Sequence, residues 1–533
     1  MSALLQQARA ALEAGNAQAA LQAAQAAVKA NPNDANAHYL CAAALRMSGR
    51  SGDALAILDR LNRALPDQPD LINMAGLCRR DMGDTTGAKR DFERAAKLAP
   101  QHIPALGNLA GLLADTDPEA ALAVYEKLGA LQPQNPEPPA LAASLCLSLR
   151  DLPGAKAWLA RAEAIEADTL PVRSAQAGLA LAEGDAARAR ARLDGFLQTA
   201  GGAPAPLAVA WGRLGEASHR LQDHRAAFEA WTQANRIQRQ SWEVRFAGYG
   251  GPRSLASAER LGRWFENHDP APPDMSELRG PAPVFQVGFP RSGTTLLEQM
   301  LDAHPGIETL EEQDAIGPII QAIGDTPERL ARLSSLGSDE INALRAAYWR
   351  SARPQGAPDA GQVFIDKYPM NLVWLGPLMR IFPDAKIILC LRDPRDCVLS
   401  AFQQRFAVNP EMYRTLEMTD CARLYDAAMQ AGQAALASGH TVPVHTVRYE
   451  DVVADYKAVM VPLIRFLGLE WDPAIADYRG KAETKRIKTP SAPQVVQPLY
   501  ASSIGKWRSY TFALEPVQGM LAPWVERYGY ESE

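Results

Sequence analysis

The chain has few cysteines, and they are scattered: six among 533 residues, at positions 41, 78, 146, 390, 397 and 421. None forms a Cys-x-x-Cys pair, so neither a zinc site nor a disulfide framework is indicated, and buried reduced thiols are expected. No apolar run is long enough to cross a bilayer. The N-terminal stretch MSALLQQARAALEAG lacks the basic and apolar regions of a secretory signal, so a cytoplasmic protein without a transmembrane segment is expected.

An excess of basic residues is also missing. The formal net charge is −6, which argues against a protein that binds nucleic acid through broad basic patches. The chain is too long for a single hydrophobic core, so two or more domains are predicted.

Three residue types recur with one period in the N-terminal part. The recurring positions are Pro32, Pro66, Pro100; Gly15, Gly49, Gly83; and Ala20, Ala54, Ala88. A period of about 34 residues resembles the tetratricopeptide repeat, a helix pair in which glycine ends the first helix and proline ends the second. The resemblance implies an all-α solenoid over residues 1–240. Its concave face would bind a protein or peptide, or the array would only support or dimerise the second domain.

A Gly/Pro-rich stretch, residues 241–280, is expected to be a linker that contains a helix. The apolar runs VFQVG, VFIDK, AKIILCLRD and VHTVRYED then alternate with helical segments. Residues 281–533 are therefore predicted to form an α/β domain with a parallel central sheet. The sequence leaves the oligomeric state undefined.

The stretch PVFQVGFPRSGTTLLEQMLDAHP is nearly the phosphate loop of an NTPase. Gly288 and Gly293 have the spacing of G-x-x-x-x-G-K-[ST], but Thr294 stands at the lysine position and Thr295 follows it. Backbone N–H groups at the start of the next helix would still bind an anion, and Arg291 adds a cation. This P-loop-like turn suits one terminal anionic group of a nucleotide without an obligatory metal ion.

A second phosphate site is indicated by IILCLRDPRDCVLSAF. Arg392 lies at the C-terminal end of a strongly apolar strand, where ligands bind in open α/β sheets. Ser400 follows eight residues later, in the next helix. An arginine and a hydroxyl are suitable partners for a phosphate group.

Together these segments resemble the sulfotransferases that use 3′-phosphoadenosine 5′-phosphosulfate (PAPS). The motifs PRSGTTL and LDAHP, followed by an acidic pair, are most similar to those of the protein-tyrosine sulfotransferases. The resemblance implies that Arg392 and Ser400 hold the 3′-phosphate, that VRYED places Tyr449 near the nucleotide, and that the segment SAPQVVQPLYASSIGKW closes over it. The residues implied to bind PAPS are Arg291, Ser292, Gly293, Thr294, Thr295, Arg392, Ser400, Tyr449, Ser491 and Lys506.

The same resemblance implies three catalytic residues. Glu312 would be the general base, while Arg291 and Lys367 would stabilise the charge on the transferred group. Glu311 is the alternative if the register is shifted by one residue. His304 is the alternative if the mechanism uses a histidine base, although the DAHP turn favours a structural role for it.

The acceptor is open at this stage. A hydroxyl of a protein or peptide, tyrosine among the candidates, is the leading expectation; a saccharide, a lipid or a small phenol is the alternative, with the repeats binding a partner protein. A nucleotide kinase or NTPase is disfavoured by Thr294 in place of the loop lysine. A scaffold with a degenerate transferase domain is disfavoured because the candidate catalytic residues are all retained.

Overall fold

The computed structural model describes residues 3–353, 358, 362–438, 442–478, 480 and 503–531. The chain forms two compact units, Met1–Ala247 and Gly248–Glu533. All six cysteines are buried free thiols. Among the described residues, no helix is both long enough and apolar enough to cross a bilayer.

The first unit is helical throughout. Its helices are α1 (Ala3–Glu13), α2 (Ala17–Ala30), α3 (Ala35–Met47), α4 (Ser51–Ala64), α5 (Pro69–Asp81), α6 (Thr85–Leu98), α7 (Ile103–Thr116), α8 (Pro118–Leu131), α9 (Glu137–Ser148), α10 (Leu152–Ile165), α11 (Leu170–Ala182), α12 (Ala186–Leu193), α13 (Phe196–Thr199), α14 (Pro204–Arg220) and α15 (His224–Phe246). Consecutive helices pack as pairs, and each pair packs against the next. The predicted tetratricopeptide solenoid is confirmed.

The repeat continues further than the proline and glycine columns indicate. Alanines near the start of each second helix are at most 1% exposed, at positions 20, 54, 88, 121, 155, 189 and 227. They allow the two helices of a pair to approach closely. The turns at Gly15, Gly49 and Gly83 have φ between 72° and 86°, and Arg150 and Gln222 adopt φ of 61° and 63° at equivalent turns. The packing of the helix pairs therefore preserves the turn where glycine is absent.

The second unit alternates strands and helices. Its elements are α16 (Leu255–Phe265), β1 (Val284–Gly288), α17 (Thr294–Asp302), β2 (Ile307–Glu311), α18 (Gly317–Ile323), α19 (Pro327–Leu330), α20 (Ser338–Ala352), β3 (Val363–Lys367), α21 (Leu375–Ile381), β4 (Lys386–Leu391), α22 (Pro394–Gln403), α23 (Met418–Ala437), β5 (Val444–Arg448), α24 (Tyr449–Ala454), α25 (Tyr456–Leu467), α26 (Thr511–Leu514) and α27 (Gln518–Arg527). Short 3₁₀ turns join several of them.

The five strands form one parallel sheet in the order β2-β3-β1-β4-β5. The central strands β1 and β4 are almost continuously buried, as expected for a sheet covered by helices on both faces. After β1 the chain crosses to the edge of the sheet as β2 and comes back between β2 and β1 as β3, and it then passes to the other side of β1 as β4. The carboxyl ends of β1, β3 and β4 therefore surround a switch point, the usual ligand position in open α/β sheets.

Helix α16 belongs to the second unit. It lies within the segment 241–280 that was expected to be a linker, and its Trp264 and Phe265 are buried. A Cβ on Gly376 of α21 would lie 2.1 Å from the Phe265 ring, so the ring is packed directly on that helix. The segment therefore contributes part of the core of the second unit.

Candidate active site

The turn between β1 and α17 is shaped to hold an anion. Arg291 and Gly293 have φ of 72° and 89°, and α17 begins at Thr294. A Cβ on Gly293 would lie 2.5 Å from the ring of Tyr449, so only glycine fits between the loop and that ring. The turn therefore leads into a helix N-terminus, whose free backbone N–H groups are suitable partners for an anion.

Arg291, Ser400 and Arg392 lie together although they come from two different βα connections. The Nε of Arg291 donates to Ser400 Oγ at 3.0 Å. The Nη1 of Arg392 donates to the carbonyl oxygen of Arg291 at 3.2 Å. The turn after β1 and the Arg392–Ser400 pair thus form one continuous polar cluster.

Arg392 is held from several sides. Its side chain is 7% exposed and lies 3.6 Å from Asp396, and its guanidinium stacks over the Tyr449 ring at 4.8 Å. It also donates to the carbonyl oxygen of Ser503, whose hydroxyl is 2.8 Å from that of Tyr449. Burial lowers the pKa of Arg392, but Asp396 and other acidic neighbours outweigh it and raise the pKa above its usual value. The cation is therefore permanent.

The C-terminal segment reaches the same cluster. Asp396, on α22, accepts hydrogen bonds from the backbone N–H groups of Gly505 and Trp507 at 2.7 and 2.9 Å. Lys506, between them, donates to Gln403 Oε1 at 2.8 Å, at the end of α22. Ser491 lies outside the described residues.

Lys367 is the last residue of β3, and its ammonium group lies between two carboxylates. It is fully buried, with Nζ 2.8 Å from Glu312 Oε1 and 3.0 Å from Glu298 Oε2. Burial alone lowers the pKa of Lys367, but Glu298 and Glu312 outweigh that effect and raise it. The ammonium group therefore stays charged.

Glu312 combines a fixed backbone with an accessible side chain. Its N–H donates to the carbonyl oxygen of Lys367 at 2.9 Å, and its φ is 44°. The side chain is 36% exposed, while that of Glu298 is completely buried. Glu312 is therefore the more accessible carboxylate of the pair.

The two alternative bases are placed differently. Glu311 ends β2 and lies opposite Lys367 in the strand register, whereas the ion pair is made by Glu312. His304 is 7% exposed. Its Nδ1 accepts from the N–H of Gly306 at 2.9 Å, and its Nε2 is 3.0 Å from the carbonyl oxygen of Glu470. Nδ1 of His304 thus stabilises the turn after α17, and Nε2 connects that turn to the segment after α25.

Two residues of the site were missed from the sequence. Glu298 is a fully buried carboxylate within TTLLEQMLD, and an acidic residue on that mostly buried helix was the signal available. Ser503 lies in the C-terminal segment, and its role depends on the fold alone.

Two buried polar groups at the loop lack hydrogen-bond partners among the described residues. They are the hydroxyl of Ser292 and the Nε of Arg392. Thr294 and Thr295 are 4% and 5% exposed and begin α17 beside them. Unpaired buried donors are costly, so they fit an anionic ligand such as a nucleotide phosphate or phosphosulfate. A small cavity beside the loop is lined by Ser292, Gly293 and Tyr449 and otherwise mainly by apolar side chains.

Fold and site together define an α/β group-transfer domain with an anion-binding P-loop-like turn, preceded by a tetratricopeptide array. Residues 283–473 match the profile of the Sulfotransferase family, and residues 11–77 and 69–102 match tetratricopeptide repeat profiles. A region of 266 residues is 30% identical to protein-tyrosine sulfotransferase 1 of Danio rerio, covering 46% of this chain and 72% of that protein. The chain belongs to the sulfotransferase family.

The chain is also similar to other proteins. Human protein-tyrosine sulfotransferase 1 is 28% identical over 265 residues, which cover 69% of its length. An Aquifex aeolicus protein named "Uncharacterized protein" is 28% identical over 265 residues, and the match spans only 34% of its length. Among solved structures, the sulfotransferase domain of the Synechococcus olefin synthase is 23% identical, with a TM-score of 0.35 over 49% of this chain and 100% of that one.

Proposed function

We propose that this sulfotransferase moves a sulfuryl group from PAPS to a hydroxyl of a protein or peptide, with tyrosine as the leading acceptor. The observation that carries the proposal is the Lys367–Glu312 pair beside the anion-binding turn. The relatives named protein-tyrosine sulfotransferases support tyrosine. The tetratricopeptide array supports a protein or peptide acceptor, or a partner protein, bound by the first unit.

The binding roles follow the geometry of the polar cluster. The turn after β1 would hold the 5′-phosphosulfate end through backbone N–H groups and hydroxyls. A metal ion is not required because the sulfuryl group carries less charge than a terminal phosphate. Arg392 and Ser400 would hold the 3′-phosphate, and Tyr449 would lie against the nucleotide. The remaining proposed contacts are Arg291, Ser292, Gly293, Thr294, Thr295, Ser491 and Lys506.

The catalytic roles divide between a base and two cations. The donor, when bound, supplies the sulfuryl group and a phosphate leaving group. Glu312 takes the proton of the acceptor hydroxyl while the acceptor oxygen bonds to sulfur and the bond from sulfur to the bridging oxygen breaks. Lys367 and Arg291 stabilise the negative charge that develops on the sulfuryl and bridging oxygens. The buried Glu298 keeps Lys367 charged and fixed in place.

The test combines an acceptor screen with a matched set of variants. Labelled PAPS is offered with tyrosine peptides, glycans, lipids and small phenols, and the modified residue is identified by mass spectrometry. Glu312→Gln should lower the rate about 10²–10⁴-fold, as loss of a general base does. The dissociation constant of adenosine 3′,5′-bisphosphate should change less than about threefold, or roughly 0.6 kcal/mol.

Glu311→Gln is the matched control and should retain most of the activity. An inactive Glu311→Gln variant beside an active Glu312→Gln variant would reassign the base. An inactive His304→Ala variant with intact nucleotide binding would support a histidine base, if both glutamate variants stayed active. Transfer to glycans, lipids or small phenols but not to peptides would move the acceptor class to the alternative.

A further inference from the structure

Three non-glycine residues in the described part of the second unit have positive φ: Arg253 at 58°, Arg291 at 72° and Glu312 at 44°. Such backbone conformations cost free energy and persist where the surrounding contacts hold them, often at functional sites. Arg291 and Glu312 belong to the proposed catalytic set. Arg253 follows Gly250-Gly251-Pro252, ahead of the region that matches the family profile, and it is not among the proposed catalytic or binding residues.

The contacts of Arg253 lead back to the other catalytic segments. Its guanidinium donates to Asp314, two residues after Glu312. It also stacks over the ring of Tyr368 at 4.7 Å, one residue after Lys367. The side chain of Arg253 is only 15% exposed. A single partly buried cation therefore contacts both the segment that carries Glu312 and the segment that carries Lys367.

A second carboxylate stabilises this cation. Glu411 is 2% exposed. Burial lowers the pKa of Arg253, but the neighbouring Glu411, Tyr368 and Asp314 outweigh that effect and raise the pKa. The guanidinium is thus surrounded by acidic or phenolic groups from three separate segments, which explains why the strained backbone at Arg253 is retained.

We infer that Arg253 is a positioning residue for sulfuryl transfer. By contacting Asp314 and Tyr368 at the same time, it keeps Glu312 in its position beside Lys367. The inference rests on the proposed function for its catalytic consequence. On the β3 side, Glu312 is fixed by its N–H bond to Lys367 and by the 2.8 Å contact between the side chains. On the other side its loop is held through Asp314. A displacement of about 1 Å in a reacting group can cost about 100-fold in rate, so this second attachment is significant.

The test uses the full chain and a matched control. Arg253→Met removes the charge and both contacts while keeping the stem of the side chain. Arg353→Met is the control, because Arg353 is 19% exposed and pairs with Glu308 on β2 at 3.1 Å, four residues before Glu312. Arg253→Lys restores the charge and the bond to Asp314 but not the planar stacking on Tyr368.

Arg253→Met should lower kcat about 10- to 100-fold, with little change in KM and in the binding of adenosine 3′,5′-bisphosphate. Arg253→Lys should recover part of the lost kcat, and Arg353→Met should retain most of the wild-type value. Hydrogen exchange of backbone amides in residues 311–316 should increase in Arg253→Met more than in Arg353→Met.

Unchanged exchange in that segment, or an equal loss of kcat in both methionine variants, would overturn the inference. The exchange measurement does not depend on catalysis. Absence of sulfuryl transfer by the wild type would therefore refute the proposed function, while the exchange result would still decide whether Arg253 holds the Glu312 segment.

Discussion

Replacing Lys367 by methionine keeps the length of the side chain but removes the cation that faces two carboxylates. Glu298 is completely buried and Glu312 is 36% exposed, so solvent can compensate the loss at Glu312 but not at Glu298. Removing one partner of a buried ion pair typically costs about 3–5 kcal/mol of stability, because the remaining charge stays buried. We expect Lys367→Met to lie in that range.

A substitution at Glu298 tests whether its buried charge causes this loss of stability. Glu298→Gln removes the buried negative charge and keeps the shape of the side chain, and Lys367 retains its bond to Glu312. In the double variant the buried pair becomes neutral, and neutral replacements of buried ion pairs are often well tolerated. The double variant should therefore be more stable than Lys367→Met alone, by about 2 kcal/mol or more.

The assay must report on each unit separately. Cysteine labelling followed by mass spectrometry in a urea series can do this, since the buried thiols divide between the units. The thiols of the second unit are Cys390, Cys397 and Cys421, and those of the first are Cys41, Cys78 and Cys146. Only the second unit should change its unfolding midpoint.

Two results would refute this reasoning. The first is a loss below about 1 kcal/mol for Lys367→Met, the size expected for an exposed pair. The second is strict additivity of the two substitutions, which would mean that Glu298 and Lys367 do not interact. Activity alone would not distinguish these cases, because Lys367 is also a proposed catalytic residue.

Two further predictions concern the nucleotide and pH. Arg392→Ala should remove most of the preference for adenosine 3′,5′-bisphosphate over AMP, a loss of about 1.5–3 kcal/mol by calorimetry; equal affinity of the wild type for both would refute the 3′-phosphate role. Burial raises the pKa of Asp366 to about 7, above its unfolded value, so its contribution to stability is lost as pH rises through 7. Between pH 5 and 8 ionisation of this carboxyl should lower the free energy of unfolding by roughly 2.5 kcal/mol, mostly below pH 7, and Asp366→Asn should remove that share of the pH dependence. An unchanged slope in Asp366→Asn would contradict the assignment.

The anion-binding turn was readable from the sequence because its determinants are local. Gly288 and Gly293 have the spacing of a phosphate loop, and the chain between them needs only its own strand and helix to take shape. The spacing of Arg392 and Ser400 is similarly confined to one strand end and the helix after it. In the first unit, the period of about 34 residues predicted the helix pairs, because each turn is set by residues within one repeat.

Other features depend on contacts between distant segments. Arg150 and Gln222 adopt the repeat turn without glycine because the packed helix pairs impose it. Ser503 reaches Arg392 only because the C-terminal segment folds back onto α22.

By itself, the sequence determined the repeat array, the parallel α/β domain and the glycine-containing turn after β1, and it suggested the residues proposed for sulfuryl transfer. Only the tertiary structure decided that Glu298 and Glu312 flank Lys367, and that Arg253 joins Asp314 to Tyr368. Glu298 and Lys367 meet because β1, which leads into α17, lies beside β3 in the sheet. The spacing of residues along a chain fixes local conformation, whereas an ion pair between distant segments depends on which strands lie side by side in the sheet.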